Sequence, residues 1–289
     1  MRMLAVRWIT GICIGCSLAG TALAQSSAST FVPGTGTELT QVGDDFEDPD
    51  WEYIPNNPKS SADIDKQQNA PIGKSKNGRW FEGIKRGHPD VVQRVETPPG
   101  GLPGSQGALL LQSLYTGIPN RPSYTMHQED FIANLQYRLG GPIDVSQAPS
   151  VTTRVFLPPI DQWEHRSGPH FAFRVALETD VPKFNPKRLF AFKKDDEEEE
   201  EGVYWPGLFI ILESKHETGQ DHDFAYFRVR ADRNGGDAKG PQITTTGWWT
   251  LGMSFSPDGM VHYYARPGVE DLTQADYITS QLPYGYRCK

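Results

Sequence analysis

The chain has 289 residues and carries 28 Lys+Arg against 36 Asp+Glu, a formal net charge of −8. That balance excludes a nucleic-acid binder that works by bulk charge. Of three cysteines, Cys13 and Cys16 lie in the N-terminal apolar run and only Cys288 remains beyond it, so no intrachain disulfide can form there and a large hydrophobic core must supply stability.

The opening "MRMLAVRWITGICIGCSLAGTALAQ" sets Arg2 and Arg7 before an apolar run and ends on Ala22-Leu23-Ala24. This predicts a secretory signal peptide over 1–24, cleaved after Ala24, and a secreted or periplasmic protein. The run is short and broken by Gly and Ser, and no later stretch approaches ~20 consecutive apolar residues, so no membrane span is expected. Residues 25–40 are Ser/Thr/Gly-rich and read as a flexible lead-in. Residues 41–289 read as one domain, a length that β-sandwiches reach undivided.

From 41 to about 103 the chain is rich in Pro, Gly, Asn and Lys, with short apolar islands at 51–54, 79–81 and 91–95. These predict long N-terminal loops pinned by aromatics. Period-two runs follow at 108–116, 123–132, 151–157, 170–179, 207–215, 224–231, 248–255 and 260–266. Val, Phe, Tyr and Thr dominate them and none holds a 3.6-residue period. The expected fold is all-β, a two-sheet antiparallel β-sandwich of jelly-roll type. The insertion 182–203 ends in the acidic run "DDEEEEE" and reads as a charged, solvated loop.

"GWWTLGMSFSPDGMVHYYAR" (247–266) reads as a hairpin whose turn, Ser256-Pro257-Asp258-Gly259, suits a type I turn with Gly at a left-handed position. Pairing Ser256 with Met260 sets Phe255 opposite Val261, Met253 opposite Tyr263 and Leu251 opposite Ala265. With Trp249 these form the expected core row. The other row pairs Ser254 with His262, Gly252 with Tyr264 and Thr250 with Arg266, and begins at Trp248. The same division recurs elsewhere. Phe171, Phe173, Val175 and Leu177 alternate with His170 and Arg174; Ala225, Phe227 and Val229 alternate with Tyr226, Arg228 and Arg230; Val151, Val155 and Leu157 alternate with Thr152, Arg154 and Phe156. If these strands share a sheet, its non-core face is cationic and aromatic. Trp248, Arg154, His170, Arg228, Arg230 and Arg266 are then candidates to hold a polysaccharide or oligosaccharide: rings stack on sugars, and arginine forks grip carboxylate or sulfate. An ordinary solvated sheet face would carry a similar pattern.

"VGDDFED" (42–48) as an opening strand, "GWWTLGMSFSPDGMVHYYARPG" (247–268) as a late hairpin and the Arg/Tyr-decorated strands between them resemble the concanavalin A-like lectin/glucanase superfamily, including LamG-like secreted domains. The likeness covers roughly 40–289 at the level of architecture. It implies a jelly roll that works on its concave sheet as a lectin, a glycoside hydrolase or a polysaccharide lyase. The retaining glucanases' alternating Glu/Asp strand is missing, since "EDPDWE" (47–52) has the wrong spacing. "YGYRCK" ends the chain without the usual closing strand, a role left to 277–282.

Jelly-roll lyases use Tyr or His as base and acid and Arg or Gln to neutralise a uronate carboxylate. By type, the resemblance points to His262, Tyr264, Tyr226 and Arg174 for catalysis, with Gln128 as a further neutraliser. No cofactor is required. Calcium would suit Glu217, Asp221 and Asp223 in "HETGQDHD" (216–223), or "DDFED" (44–48). Three functions stay open: an anionic-glycan binder or lyase, a non-catalytic structural or adhesion domain, and a glycoside hydrolase whose carboxylates come from Glu129, Asp130, Glu178 and Glu213.

Overall fold

The computed structural model describes residues 32–62, 68, 70–114, 128–179, 203–230 and 236–289. The expected signal peptide, the start of the expected lead-in, residues 123–127 of one expected strand and nearly all of the acidic insertion lie outside the described residues. The described chain is built of antiparallel strands with no long helix. None of its helices is long and apolar enough to cross a membrane.

In chain order the strands are β1 (Tyr53–Ile54), β2 (Lys74–Ser75), β3 (Trp80–Glu82), β4 (Val91–Val95), β5 (Ala108–Gln112), β6 (Phe131–Ala133), β7 (Ser150–Leu157), β8 (Gly168–Arg174), β9 (Leu177–Glu178), β10 (Val203–Tyr204), β11 (Gly207–Glu213), β12 (Phe224–Arg230), β13 (Asp237–Ile243), β14 (Gly247–Phe255), β15 (Val261–Pro267) and β16 (Tyr277–Gln281). Two short helices, α1 (Leu135–Leu139) and α2 (Lys215–Thr218), fill connections. The region expected as N-terminal loops thus carries short strands. β1-β2-β3-β6 form a small sheet and β4-β5 a separate pair, closed by rings such as Trp80 stacked on Phe131 at 5.3 Å.

The larger sheets have the orders β13-β12-β11-β8 and β16-β15-β14-β7. Each is a three-strand meander extended by one earlier strand. One hydrophobic cluster draws on both: Leu208, Ile210, Leu212, Ala225, Phe227 and Val229 come from the first sheet, Leu157, Trp249, Leu251, Met253, Phe255, Val261 and Tyr263 from the second. Phe227 meets Trp249 edge-on at 5.1 Å. These are the alternate residues of their strands, because successive side chains point to opposite faces and only one face can enter the shared core.

The β14–β15 register is the expected one. Phe255 pairs with Val261, Met253 with Tyr263, Leu251 with Ala265, Gly252 with Tyr264 and Thr250 with Arg266. The turn closes through Ser256 N donating to Met260 O (3.1 Å) and Gly259 N to Ser256 O (2.8 Å). Gly259 sits at φ 78°, where a side chain would be strained. Tyr277–Gln281 form the last strand, β16, which pairs with β15 at the sheet edge and not with an opening strand, since residues 42–48 form none.

Candidate functional site

The ten candidate residues do not meet. Trp248, Arg154, His262, Tyr264 and Arg266 belong to the β16-β15-β14-β7 sheet, whereas His170, Arg174, Tyr226, Arg228 and Arg230 belong to the β13-β12-β11-β8 sheet. Each sheet gives its apolar row to the shared core, so the two non-core rows point away from each other. The five arginines are thus divided between two sheets, two on one and three on the other.

The non-core face of β14 and β15 is not open. Residues 32–36 and 268–276 lie across it. A Cβ on Gly252 would meet Leu272 at 2.4 Å and Pro33 at 2.8 Å, and Gly34 N donates to Ser150 Oγ at 3.2 Å. Tyr264 is 0% exposed and His262 only 2%. His262 is held at both ring nitrogens, with Nδ1 2.5 Å from Ser280 Oγ and Nε2 2.8 Å from Ser256 Oγ, while the Ser256 hydroxyl donates to Asp258. Burial lowers the His262 pKa from its usual value, against the pull of Asp258, so the imidazole is neutral. The catalytic assignment of His262 and Tyr264 is therefore corrected: both are interior packing residues.

Arg154 and Arg266, each partly exposed, bind the covering segment. Arg154 donates from Nε to Val269 O at 2.6 Å and from Nη2 to Asp271 Oδ1 at 2.6 Å. Arg266 donates from Nη1 to Asp271 O at 3.0 Å and lies 3.8 Å from Asp276. Trp248 lies edge-on to Phe156 under the Gly100-Gly101 turn, with Nε1 donating to Pro98 O at 3.3 Å. His170 sits at the β8 irregularity against Trp163, between the carbonyls of Gly168 and Glu164. These four are corrected likewise. Backbone carbonyls or loop acids accept from each of the four, although Arg266 Nε is buried without a hydrogen-bond partner, and the alternation pattern could not reveal these contacts.

Arg174, Tyr226, Arg228 and Arg230 do come together, on the outer face of β8, β11, β12 and β13. Cross-strand register sets the rows. Gly207 pairs with both Arg174 and Arg230, and Arg230 pairs with Asp237. Next, Phe209 pairs with Ala172 and Arg228, and Arg228 with Lys239. Ile211 follows opposite Tyr226, which pairs with Gln242. Phe209, Ile211 and Tyr226 form a second, smaller apolar cluster on this outer side. β11, "GLFIILE", is therefore apolar on both faces, as suits a central strand covered on each side.

What lies over those rings is positive charge. The Arg174 guanidinium sits 5.8 Å from the centre of Trp205 and 5.7 Å from Phe209, which Arg230 approaches to 4.9 Å. Arg228 lies 5.6 Å from Tyr226, which Lys239 approaches to 4.6 Å. A cation over a ring face is attracted by the ring quadrupole, so Phe209 and Tyr226 each anchor two cations. Two acids temper them. Asp237 lies 3.3 Å from Arg230 and 3.7 Å from Arg228, and Glu213 accepts from the Tyr226 hydroxyl at 3.1 Å, itself an acceptor from Arg228 at 2.6 Å. Arg174 Nη1 reaches Gln128 Oε1 at 3.2 Å. Gly207 is required beneath Arg174, since a Cβ there would fall 2.2 Å from Phe173 O and 2.9 Å from Arg174 Cγ. Lys239, Phe209, Trp205 and Asp237 escaped the sequence reading. For Lys239 and Asp237 the cause was the Gly240-Pro241 pair, which masks β13 as a turn.

A second feature was also missed. Lys59, with a side chain 1% exposed, pairs with Asp90 at 3.0 Å and with Glu129. Fully buried Glu82 accepts from Ser60 N (2.5 Å) and Gly73 N (3.0 Å). Glu129 is raised above the usual carboxyl range by burial, against the lowering effect of Lys59. The group is enclosed, and it reads as an internal ionic anchor of the N-terminal sheets. The four carboxylates weighed for a hydrolase have separate settings: Glu129 serves Lys59, Asp130 serves Arg86 at 3.2 Å, Glu213 serves Tyr226, and Glu178 is an exposed β9 residue.

The loop acids weighed for calcium have partners within the chain, backbone N–H groups for Asp223 and Glu217 and side chains for Asp221, which meets His222 Nδ1, and for Asp44. Asp223 Oδ1 accepts from Lys215 N (2.7 Å), Glu217 Oε2 from Ser167 N (2.9 Å), and Asp44 Oδ2 from Trp51 Nε1 (3.0 Å). Among the described residues no three His, Cys, Asp or Glu side chains gather so as to hold a metal ion. No family model matches the chain, nor does any curated protein or solved structure.

Proposed function

We propose that this chain binds an anionic polysaccharide on the outer face of β8, β11, β12 and β13, as a secreted domain of concanavalin A-like, jelly-roll kind. The observation that carries the reading is the ring-anchored cation array. Among the described residues, Arg174, Arg228, Arg230 and Lys239 gather on this face around Phe209 and Tyr226, with Glu213 and Asp237 beside them. Counter-charges placed on one face favour an anionic partner and steer its approach.

The same geometry argues against neutral sugars. Phe209 is 3% and Tyr226 4% exposed, so their faces meet guanidinium and ammonium groups and are closed to stacking by a sugar ring. What the face offers is N–H donors in fixed planes, suited to carboxylate or sulfate. The near-complete burial of Tyr226 favours binding over proton abstraction by its hydroxyl.

The test is retention on immobilised polygalacturonate and on a neutral glucan, for the wild type and for R174A, R228A and R230A. Salt-sensitive retention on the uronate polymer alone, lowered by each substitution, is the expected outcome. Equal retention on the neutral glucan, or no loss on removing all three arginines, would sink the reading. Release of unsaturated sugar from the polymer by the wild type would move the assignment from binder to lyase.

A further inference from the structure

We propose that Asp237 is a built-in competitor for the anionic ligand, so that this one carboxylate sets the affinity of the cation face. The inference rests on the binding reading above and goes beyond it, because it concerns a residue that would oppose binding.

Three observations carry it. First, register places Asp237 directly opposite Arg230, one row from the Arg228–Lys239 pair, so its carboxylate stands within the array. Second, it lies between two guanidinium groups, accepting from Arg230 Nε at 3.3 Å and standing 3.7 Å from Arg228 Nη1, the place a ligand carboxylate or sulfate would take. Third, it does so at a partly solvent-open place. The side chains of Asp237, Arg228 and Arg230 are 26%, 36% and 39% exposed, so an incoming anion can reach the pair it holds. Exposed ion pairs of this kind add little to stability. Asp237 is therefore poorly explained as a structural brace and well explained as a displaceable counter-ion. Glu213, the other acid on this face among the described residues, is different, being held by the Tyr226 hydroxyl.

A ligand must take the place of Asp237 on Arg228 and Arg230. A single small anion exchanges one carboxylate for another with little gain. A polymer that also engages Arg174 and Lys239 has further contacts to set against the exchange.

The test compares wild type, D237N and D237A for binding to polygalacturonate in solution at low ionic strength, with R228A/R230A alongside. The amide of D237N keeps the shape and removes the charge. The expected result is binding tightened about fivefold in both Asp237 variants, the worth of one unit charge a few ångströms away in water. The gain should fade as salt is raised, with melting temperature within about 3 °C of wild type. Unchanged or weaker binding in D237N and D237A, while R228A/R230A still abolishes it, would overturn this inference and leave the binding reading intact. No arginine-dependent binding by the wild type would overturn both.

Discussion

Lys59→Met is the sharpest probe of the N-terminal sheets. The substitution keeps most of the stem and deletes the charge, leaving Glu129, whose side chain is 1% exposed, and Asp90, 16% exposed, without their shared cation. Breaking a buried pair from one side strands a charge in low dielectric and costs about 3–5 kcal/mol. For a domain of this size that lowers the melting temperature by about 6–20 °C. Thermal and denaturant unfolding followed by near-ultraviolet circular dichroism would measure it. The pH dependence supplies a second check. Glu129 titrates above its ordinary value in the fold, so the folded state binds its proton more readily than the unfolded chain does. Without Lys59 that preference grows, so K59M should recover stability relative to wild type as pH falls toward the Glu129 titration, and K59M/E129Q should recover part of the loss at neutral pH. A loss below about 1 kcal/mol, with no pH dependence, would refute the view that these charges are buried and mutually compensated.

Other outcomes follow from the same geometry. Phe227→Ala removes a fully buried ring that meets Trp249, and unfolding should show a loss of about 3–5 kcal/mol. The folded His262 pKa lies below its usual 6.5, so the unfolded chain takes up the proton first and stability falls as pH drops below about 6.5; H262Q should remove that part of the slope in urea titrations. Gly207→Ala forces its Cβ against Phe173 O and displaces Arg174, so polyuronate binding should drop about as far as in R174A, with some loss of melting temperature. Removing Arg154 or Arg266 should speed amide exchange at 268–276 while leaving β14 and β15 protected.

How much of this was legible in the sequence differs by region, for physical reasons. The β14–β15 register was readable because Pro257-Asp258-Gly259 admits few turn geometries, and one fixed pair determines all the others. The core rows were readable because alternation is a property of the strand itself. Which polar rows meet water was not, because Pro33 and Leu272, which cover one sheet, come from segments without periodicity. Arg154 and Arg228 look alike on their strands, yet one ties down a loop and the other joins the cation face. β13 was hidden by Gly240 and Pro241, which an edge strand tolerates since one side of its ladder is unpaired. The Lys59–Glu129 contact joins residues 70 positions apart, beyond any local pattern.

The last residues of the chain carry a practical consequence. Cys288 is 3% exposed, its Sγ donates to Gly259 O at 3.3 Å, its backbone N donates to that same carbonyl, and Lys289 N donates to Glu178 O. The tail thus joins the β14–β15 turn to β9, and burial pushes the thiol pKa up to about 11. Beyond Cys16 this is the one cysteine in the sequence. Shielded and poor in thiolate, it should resist alkylation while the tail is seated and react as soon as it lifts. Its labelling rate would then act as a clock on one local opening, read without introducing any foreign probe, and would show whether occupying the distant cation face slows the molecule's breathing at this seam.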